Sequence, residues 1–333
     1  MSVPPSQRAA RGSGPAVVAL GGGHGLSATL SALRLMTDRI TAVVTVADDG
    51  GSSGRLRDEL GVLPPGDLRM ALAALCDDSE WGRTWRDVLQ HRFASQGPLD
   101  RHAVGNLLIV ALWELLDDTV EGLDWVGRLL GARGRVLPMA AVPLQIEADV
   151  VHADGTADRV RGQVSVATTG GRIEHLRLEP TDPPACPEAV AAIEEADWVV
   201  LGPGSWYTSV MPHLLVPGLR DALQRTQART IVTLNLSPES GETEGMRAEE
   251  HLEALHAHAP GLRVDAVVAD PGAVDDVDVL SDTTERLGAQ LLLRQVGRGD
   301  GTPMHDPLRL AAAFRDVVEG FLGDVGTRAG GAG

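Results

Sequence analysis

Apolar runs closed off by glycine turns set the frame of this chain. AVVAL (Ala16–Leu20) and TAVVTVA (Thr41–Ala47) are hydrophobic on both faces, as strands in the middle of a parallel sheet are. Between them a glycine turn leads into apolar residues at helical spacing, which predicts a helix over about Leu26–Leu35 and a right-handed βαβ opening. From Asp67 to about Leu130, apolar residues recur at three and four positions in ALAAL, WRDVL, NLLIVALWELL and LDWVGRLL, predicting a helical cap. From about Leu144 to Leu178 the period falls to two, with a DG turn and a TTGG turn, predicting antiparallel ribbon. Doubly apolar strands resume in DWVVLGPGS (Asp197–Ser205), TIVTLNLS (Thr230–Ser237), VDAVVAD (Val264–Asp270) and LLLRQV (Leu291–Val296), and a helix closes the chain over Asp306–Phe321. The expected fold class is α/β: a doubly wound, mostly parallel sheet with a helical cap and a small antiparallel β excursion at 144–178, all in one domain at 15–323. Residues 1–14 and 324–333, rich in small and turn-forming residues, are expected to be flexible tails.

Composition narrows the chemistry. The 333 residues are 43% hydrophobic and 23% charged, a globular balance, with a formal net charge of -17. That charge argues against nucleic-acid partners and against anionic membranes. All 29 basic residues are arginine. The absence of lysine excludes a Walker A lysine, a Schiff-base lysine and a lysine general base, so any phosphate clamp must use arginine, backbone N–H groups and hydroxyls. Cys76 and Cys186 stand far apart with no CxxC, which leaves neither a disulfide framework nor a cysteine zinc site and fits a reducing compartment. No apolar run approaches the roughly 18 residues of a membrane span, so no membrane insertion and a cytoplasmic location are expected. There is no GxSxG, no HExxH and no metal-ligand spacing among the histidines, so no catalytic residue and no metal ligand is assigned.

The candidate chemistry lies in loops at strand ends. GGGHGLSA places Gly22, Gly23, His24 and Gly25 between a strand and a helix, where glycines admit a phosphate and the helix N-terminus favours an anion. ADDGGSSGRLR follows the second strand. Asp48 or Asp49 stands where a dinucleotide fold keeps its ribose acid, and Ser52, Ser53 and Arg55 offer hydroxyls and charge. In LPPGDLRMAL, Asp67 reads as a helix N-cap, and Arg69, unfavourable in a first turn, reads as reaching for an anion. In HAVGNLLIVAL, Asn106 is a polar interruption of an apolar helix that needs partners. LGPGSWYTS brings Gly202, Pro203, Gly204, Ser205 and Thr208 to another strand end, and Asn235 joins the rim after the next.

Taken in order, GGGHGLSATLSAL, VADDGGSSGRLR, LPPGDLRMALAAL, HAVGNLLIVAL, LGPGSWYTSVMPHLL and the late HDP (His305–Pro307) resemble the YvcK-type gluconeogenesis factors. These belong to the CofD-like superfamily founded by 2-phospho-L-lactate transferase, and the resemblance runs from about Ala16 to Phe321. It implies a Rossmann-like fold and a cytoplasmic protein that binds uridine-diphosphate sugars such as UDP-N-acetylglucosamine. It also implies a link to cell shape and cell-wall synthesis on gluconeogenic carbon sources. No established catalysis goes with that branch. The transferase branch moves a phospholactyl group from a nucleotide-diphosphate donor onto a deazaflavin with Mg²⁺. It shares the glycine loop and acid pair but carries a histidine–glycine segment where this chain has GGSSGRLR. Three departures from the YvcK-type pattern are His24 in place of threonine, Pro238-Glu239-Ser240 before GET, and Met304 in place of a basic residue.

The reading expected from these residues is a nucleotide-sugar-binding regulator. The backbones of Gly22–Gly25 and Gly202–Ser205 would cradle the diphosphate, with Ser52, Ser53 and Arg55 or Arg69 adding donors. Asp49 and Asn106 would orient sugar or ribose hydroxyls. No firm cofactor is implied beyond the UDP-sugar ligand, with Mg²⁺ required only by a transferase. Protein partners in wall synthesis and a homo-oligomer, commonly a dimer, are expected. The alternatives are the CofD-like transferase and an NAD-binding oxidoreductase, the latter favoured by G-x-G-x-x-A and its following acid alone.

Overall fold

The structure, a computed structural model, describes residues 14–238 and 241–320. The expected tails, and Glu239, Ser240 and Phe321, lie outside the described residues apart from Gly14.

Among the described residues ten strands form two sheets. The first is parallel throughout and contains β1 (Val17–Gly21), β2 (Ile40–Val44), β3 (Arg135–Pro138), β7 (Trp198–Leu201), β8 (Arg229–Thr233), β9 (Ala266–Ala269) and β10 (Gln290–Leu293). Its order is β10-β9-β8-β7-β1-β2-β3. The second, antiparallel, has β4 (Gln145–Val151) between β5 (Ala157–Arg161) and β6 (Arg172–Glu179). The α/β class, the doubly wound sheet and the β excursion are therefore as the sequence pattern indicates. β3 is an addition: four residues at the sheet edge, too short to stand out by periodicity. A five-residue helix, Gln163–Ala167, also interrupts the ribbon between β5 and β6.

β1 and β7 are buried along their whole length, which is why both faces are apolar. The helix Gly23–Leu33 covers β1 and packs on the helices Gly66–Leu75 and Pro307–Glu319. The cap consists of Gly66–Leu75, Glu80–Gln90, Val104–Leu116 and Thr119–Leu130. Its ends are set by local chemistry: Ser79 and Asp118 accept N-terminal amides, and Gly131 closes the last helix in the left-handed conformation. Among the described residues no helix is long and apolar enough to cross a membrane.

Candidate functional site

β1 and β7 are neighbours, and from them the sheet grows in opposite directions. The crevice at their carboxyl ends is the topological switch point of the fold. Gly22–Gly25 follows β1 and Gly202–Ser205 follows β7, and these two turns touch. A Cβ on Gly25 would collide with the Pro203 carbonyl and stand 2.6 Å from Gly204 Cα, so only glycine allows the approach. Thr29 Oγ1 donates to the Gly202 carbonyl at 2.9 Å, tying the first helix to the second turn. Gly202, at φ +74°, lies against the Thr233 carbonyl. Asn235 braces the turn from β8: its side chain accepts from the Gly204 amide at 2.8 Å and donates to the Gly204 carbonyl at 2.9 Å.

Beyond Ser205 the chain makes a π-helical turn, Trp206–Val210, buried at every position. Ser205 Oγ hydrogen-bonds Thr208 Oγ1 and donates to Glu242 Oε1 at 2.7 Å. The Tyr207 amide donates to the same oxygen at 3.2 Å. Glu242 is a buried carboxylate that fixes this turn, and the sequence reading did not single it out.

A cavity of about 710 Å³ opens between the two glycine turns and the segment 298–307. His24, Ser27 and the turn Pro203–Gly204 form one wall, and Arg298, Met304 and His305 face them. The first turn of the helix Gly23–Leu33 carries no acidic side chain of its own, and its positive end favours an anion. A second hollow of about 630 Å³ shares Leu236, Ser237 and Pro303 with the first and runs on past Asp270. Asp270 there is already satisfied. Its carboxylate accepts from the amides of Gly272, Val296 and Gly297, which hold it below the usual carboxylate range against the opposing effect of burial.

The acidic and basic candidates gather on the other side of the Gly22–Gly25 turn. Asp67 does not cap its own helix, as the sequence reading expected: Pro65 holds the N-cap position. Its carboxyl instead accepts from the Gly23 amide, and a Cβ on Gly22 would lie 2.5 Å from Asp67 Oδ2. Asp67 therefore caps the neighbouring helix across space. Burial, reinforced by the charge of Asp48, pushes Asp67 up to about 7 against the pull of the Gly23 amide and Arg69. Asp48 is raised too, chiefly by burial, despite bonds from the Gly50 amide and Ser53.

Arg69, only 3% exposed, donates through Nε to Asn106 Oδ1 at 2.8 Å, while its NH1 meets no hydrogen-bond partner. Burial, helped by Arg92, pulls it down to about 10. Asn106 Nδ2 donates to Ser52 Oγ at 3.0 Å, and Ser52 also meets His102 Nδ1 at 3.0 Å. Gly105 leaves the room this requires, since a Cβ there would stand 2.7 Å from Arg69 Cδ.

The predicted residues thus fall into three groups, with Arg55 and Asp49 outside them. Gly22, Gly25, Pro203, Gly204 and Asn235 build the contact between turns, with Gly23 at φ +56° opening the helix and His24 exposed beside the cavity. Gly202, Ser205 and Thr208 hold the second turn in shape. Asp48, Ser52, Ser53, Asp67, Arg69 and Asn106 form the acid–base corner behind the first turn. GGSSGRLR is helical, Gly51–Leu60, rather than an open loop, and its serines are buried. Arg55 turns away, donating to the carbonyls of Pro98 and Asp100. Asp49 accepts from the amides of Gln163 and Val164 at 2.9 and 3.0 Å, capping the short helix and fastening the β excursion to the rim. Arg298 and His305 were not singled out as site residues, because a cavity wall built from a remote hairpin leaves no local pattern.

Fold and site together define a doubly wound α/β protein with a cavity at its switch point, walled by two abutting glycine turns. The family described as 2-phospho-L-lactate transferase CofD matches residues 17–290. A Mycobacterium tuberculosis protein named "Putative gluconeogenesis factor" is 56% identical over 313 residues, covering 92% of this chain and 91% of that one. A Halalkalibacterium halodurans protein named "Gluconeogenesis factor" is 40% identical over 273 residues, covering 81% and 80%. A crystal structure of a UPF0052 family member from Bacillus halodurans superposes with a TM-score of 0.80 at 33% identity, covering 91% of this chain and 99% of that one. The chain belongs to the CofD family, and both of these relatives are named as gluconeogenesis factors, the mycobacterial one as putative.

Proposed function

We propose that this protein binds a nucleotide-diphosphate sugar, a UDP-sugar such as UDP-N-acetylglucosamine, in the cavity between the glycine turns. On this reading it acts as a cytoplasmic regulator of cell shape and wall synthesis during gluconeogenic growth, through protein partners that respond to the liganded state. The observation that carries the reading is the contact of Gly25 with Pro203–Gly204 at the mouth of a cavity of about 710 Å³. A backbone-lined wall and a helix N-terminus, with no acidic side chain among the described residues lining the cavity, support a diphosphate ligand there. Charge-assisted hydrogen bonds contribute about 1.5–3 kcal/mol each, so a few account for micromolar binding. Calorimetric titration with UDP-N-acetylglucosamine tests it: a saturable single-site isotherm is expected, and no heat at millimolar ligand rejects it.

One observation favours a second reading, a CofD-like transferase: the Asp48–Asp67 pair behind the first glycine turn. Burial raises both acids and the charge of Asp48 raises Asp67 further, which a cation would ease, and Mg²⁺ is commonly held by one or two carboxylates with substrate phosphates. Among the described residues no group of three or more His, Cys, Asp or Glu is placed to hold a metal, so these two carboxylates would be the holders. When bound there, Mg²⁺ would neutralise charge on a diphosphate. Mg²⁺-dependent product from a nucleotide-diphosphate donor and a deazaflavin, lost in Asp48→Asn, would establish this reading in place of a purely binding one.

A further inference from the structure

The cavity between the glycine turns follows one face of the helix Gly23–Leu33. His24, Ser27, Ala28 and Ser31 line it, at the i, i+3, i+4 and i+7 spacing of a single face. Leu26, Leu30 and Leu33 turn inward and are buried. The two serine hydroxyls on the cavity face are committed in one direction. Ser27 Oγ donates to the Gly23 carbonyl at 2.9 Å, and Ser31 Oγ donates to the Ser27 carbonyl at 2.8 Å. A hydroxyl has one proton and two lone pairs, so toward the cavity each oxygen can only accept. Helix stability does not call for these serines, since alanine is the better helix former and such back-bonding slightly destabilises a helix. Thr29 differs: its hydroxyl donates to the Gly202 carbonyl and ties the turns together.

The N-terminal end of the same face has the opposite character. The Leu26 amide bonds to the Gly22 carbonyl, and the His24 and Gly25 amides precede it, where helix geometry supplies no acceptor. Arg298 faces them across the cavity, and among the described residues no acid lines it. Donors are thus gathered at the helix start and acceptors lie farther along: at the helical rise, positions 27 and 31 stand about 6 and 12 Å beyond Gly23. An ionised inorganic phosphate would meet the donors but has no proton for the serines. An apolar group would meet neither. A phosphate joined to a group that carries O–H donors meets both.

We propose that Ser27 and Ser31 select the ligand of this cavity by its hydroxyl groups. Its phosphate end lies on the His24 and Gly25 amides, and the attached hydroxylated ring lies back along the helix and donates to the two serine oxygens. This rests on the nucleotide-sugar reading above and deepens it by giving the ligand a direction. Two rings of such a ligand carry hydroxyls, the ribose and the sugar, and the experiment separates them.

The test is calorimetry on the full chain and on the double variant Ser27→Ala/Ser31→Ala, with UDP-N-acetylglucosamine, UDP and inorganic pyrophosphate. The variant should bind UDP-N-acetylglucosamine about tenfold more weakly, as the loss of two neutral hydrogen bonds implies. Ser31→Ala alone, two turns from the glycines, should show about a threefold loss. Pyrophosphate has no hydroxyl group and should bind wild type and variants alike. The thermal midpoint of the variants should not fall, because alanine favours the helix. An equal loss with UDP lays the ribose along the helix, and a loss confined to UDP-N-acetylglucosamine lays the sugar there; either supports the proposal. Unchanged affinity of the double variant for UDP-N-acetylglucosamine overturns it. So does an equal loss with pyrophosphate, which would make the serines a support of the turn, or a failure of pyrophosphate to bind a wild type that binds UDP-N-acetylglucosamine. Wild-type protein that binds none of the three overturns the nucleotide-sugar reading itself, and this proposal with it.

Discussion

The two sides of the Gly22–Gly25 turn are built on opposite plans. Toward β7 and β8 lies a cavity whose wall is glycine backbone, proline, methionine and neutral histidine. Toward β2 and the cap lies a crowded corner in which Asp48, Asp67 and Arg69 perturb one another. The first side leaves room and keeps its charge low, so an anionic ligand entering it meets little that must be displaced. The second is filled by its own side chains, and Asp67 already occupies the Gly23 amide. A single helix start is thus shared between an internal acid and an external ligand. The difference teaches that candidate residues close together in sequence can serve a binding site in separate ways, as its wall or as the brace behind it.

The strongest break in this comparison comes from Arg69. Arg69→Ala removes the cation beside Asp67 and Asp48, and truncating one partner of a buried charged set costs about 3–5 kcal/mol. Urea unfolding near pH 8 should show that loss, with a smaller one near pH 5, where Asp67 holds its proton.

Asp67→Asn should act in the other direction. Asp67 keeps its proton up to about 7 in the folded protein, against 3.8 ordinarily. Below 3.8 both states are protonated. As pH rises toward 7 the unfolded chain ionises first, so the native state loses stability through that window, by roughly 2–4 kcal/mol. Asp67→Asn should flatten this slope, visible as a rising unfolding midpoint relative to wild type above pH 7. The cavity side slopes the opposite way. His305 is held down at about 4, so stability it provides is present above 6.5 and lost as pH falls to 4.

Gly25→Ala should be smaller in stability and larger in function. Overpacking against Pro203 costs about 1–3 kcal/mol, and by prising the turns apart it should abolish ligand heat in calorimetry. The smallest change expected is Ser205→Ala, about 1 kcal/mol from the lost bond to Glu242, measured by thermal unfolding.

How much of this was legible in the chain depends on what each residue answers to. Strands such as Val17–Gly21 and Trp198–Leu201 showed because burial on both faces demands an unbroken apolar run. Gly25 and Gly204 showed because glycine at a strand end has few other uses. Asp67 was misread because a cap across space leaves the same local signature as a cap within its own helix. GGSSGRLR was misread because its small residues fit a loop, yet Gly54 and Gly66 are small so that Asp49 and Ser53 can approach. Asn106 did find partners, but internal ones. His305 and Glu242 were passed over because their neighbours, Leu234 and Ser205, come from distant strands.

The division between wall and brace is tested most directly by hydrogen exchange with and without UDP-N-acetylglucosamine. Slowed exchange is expected at the amides of Gly22–Gly25, in Gly202–Ser205 and across 298–305, with 102–106 unchanged. Protection confined to 48–69 and 102–106, with the cavity segments unmoved, would contradict the account.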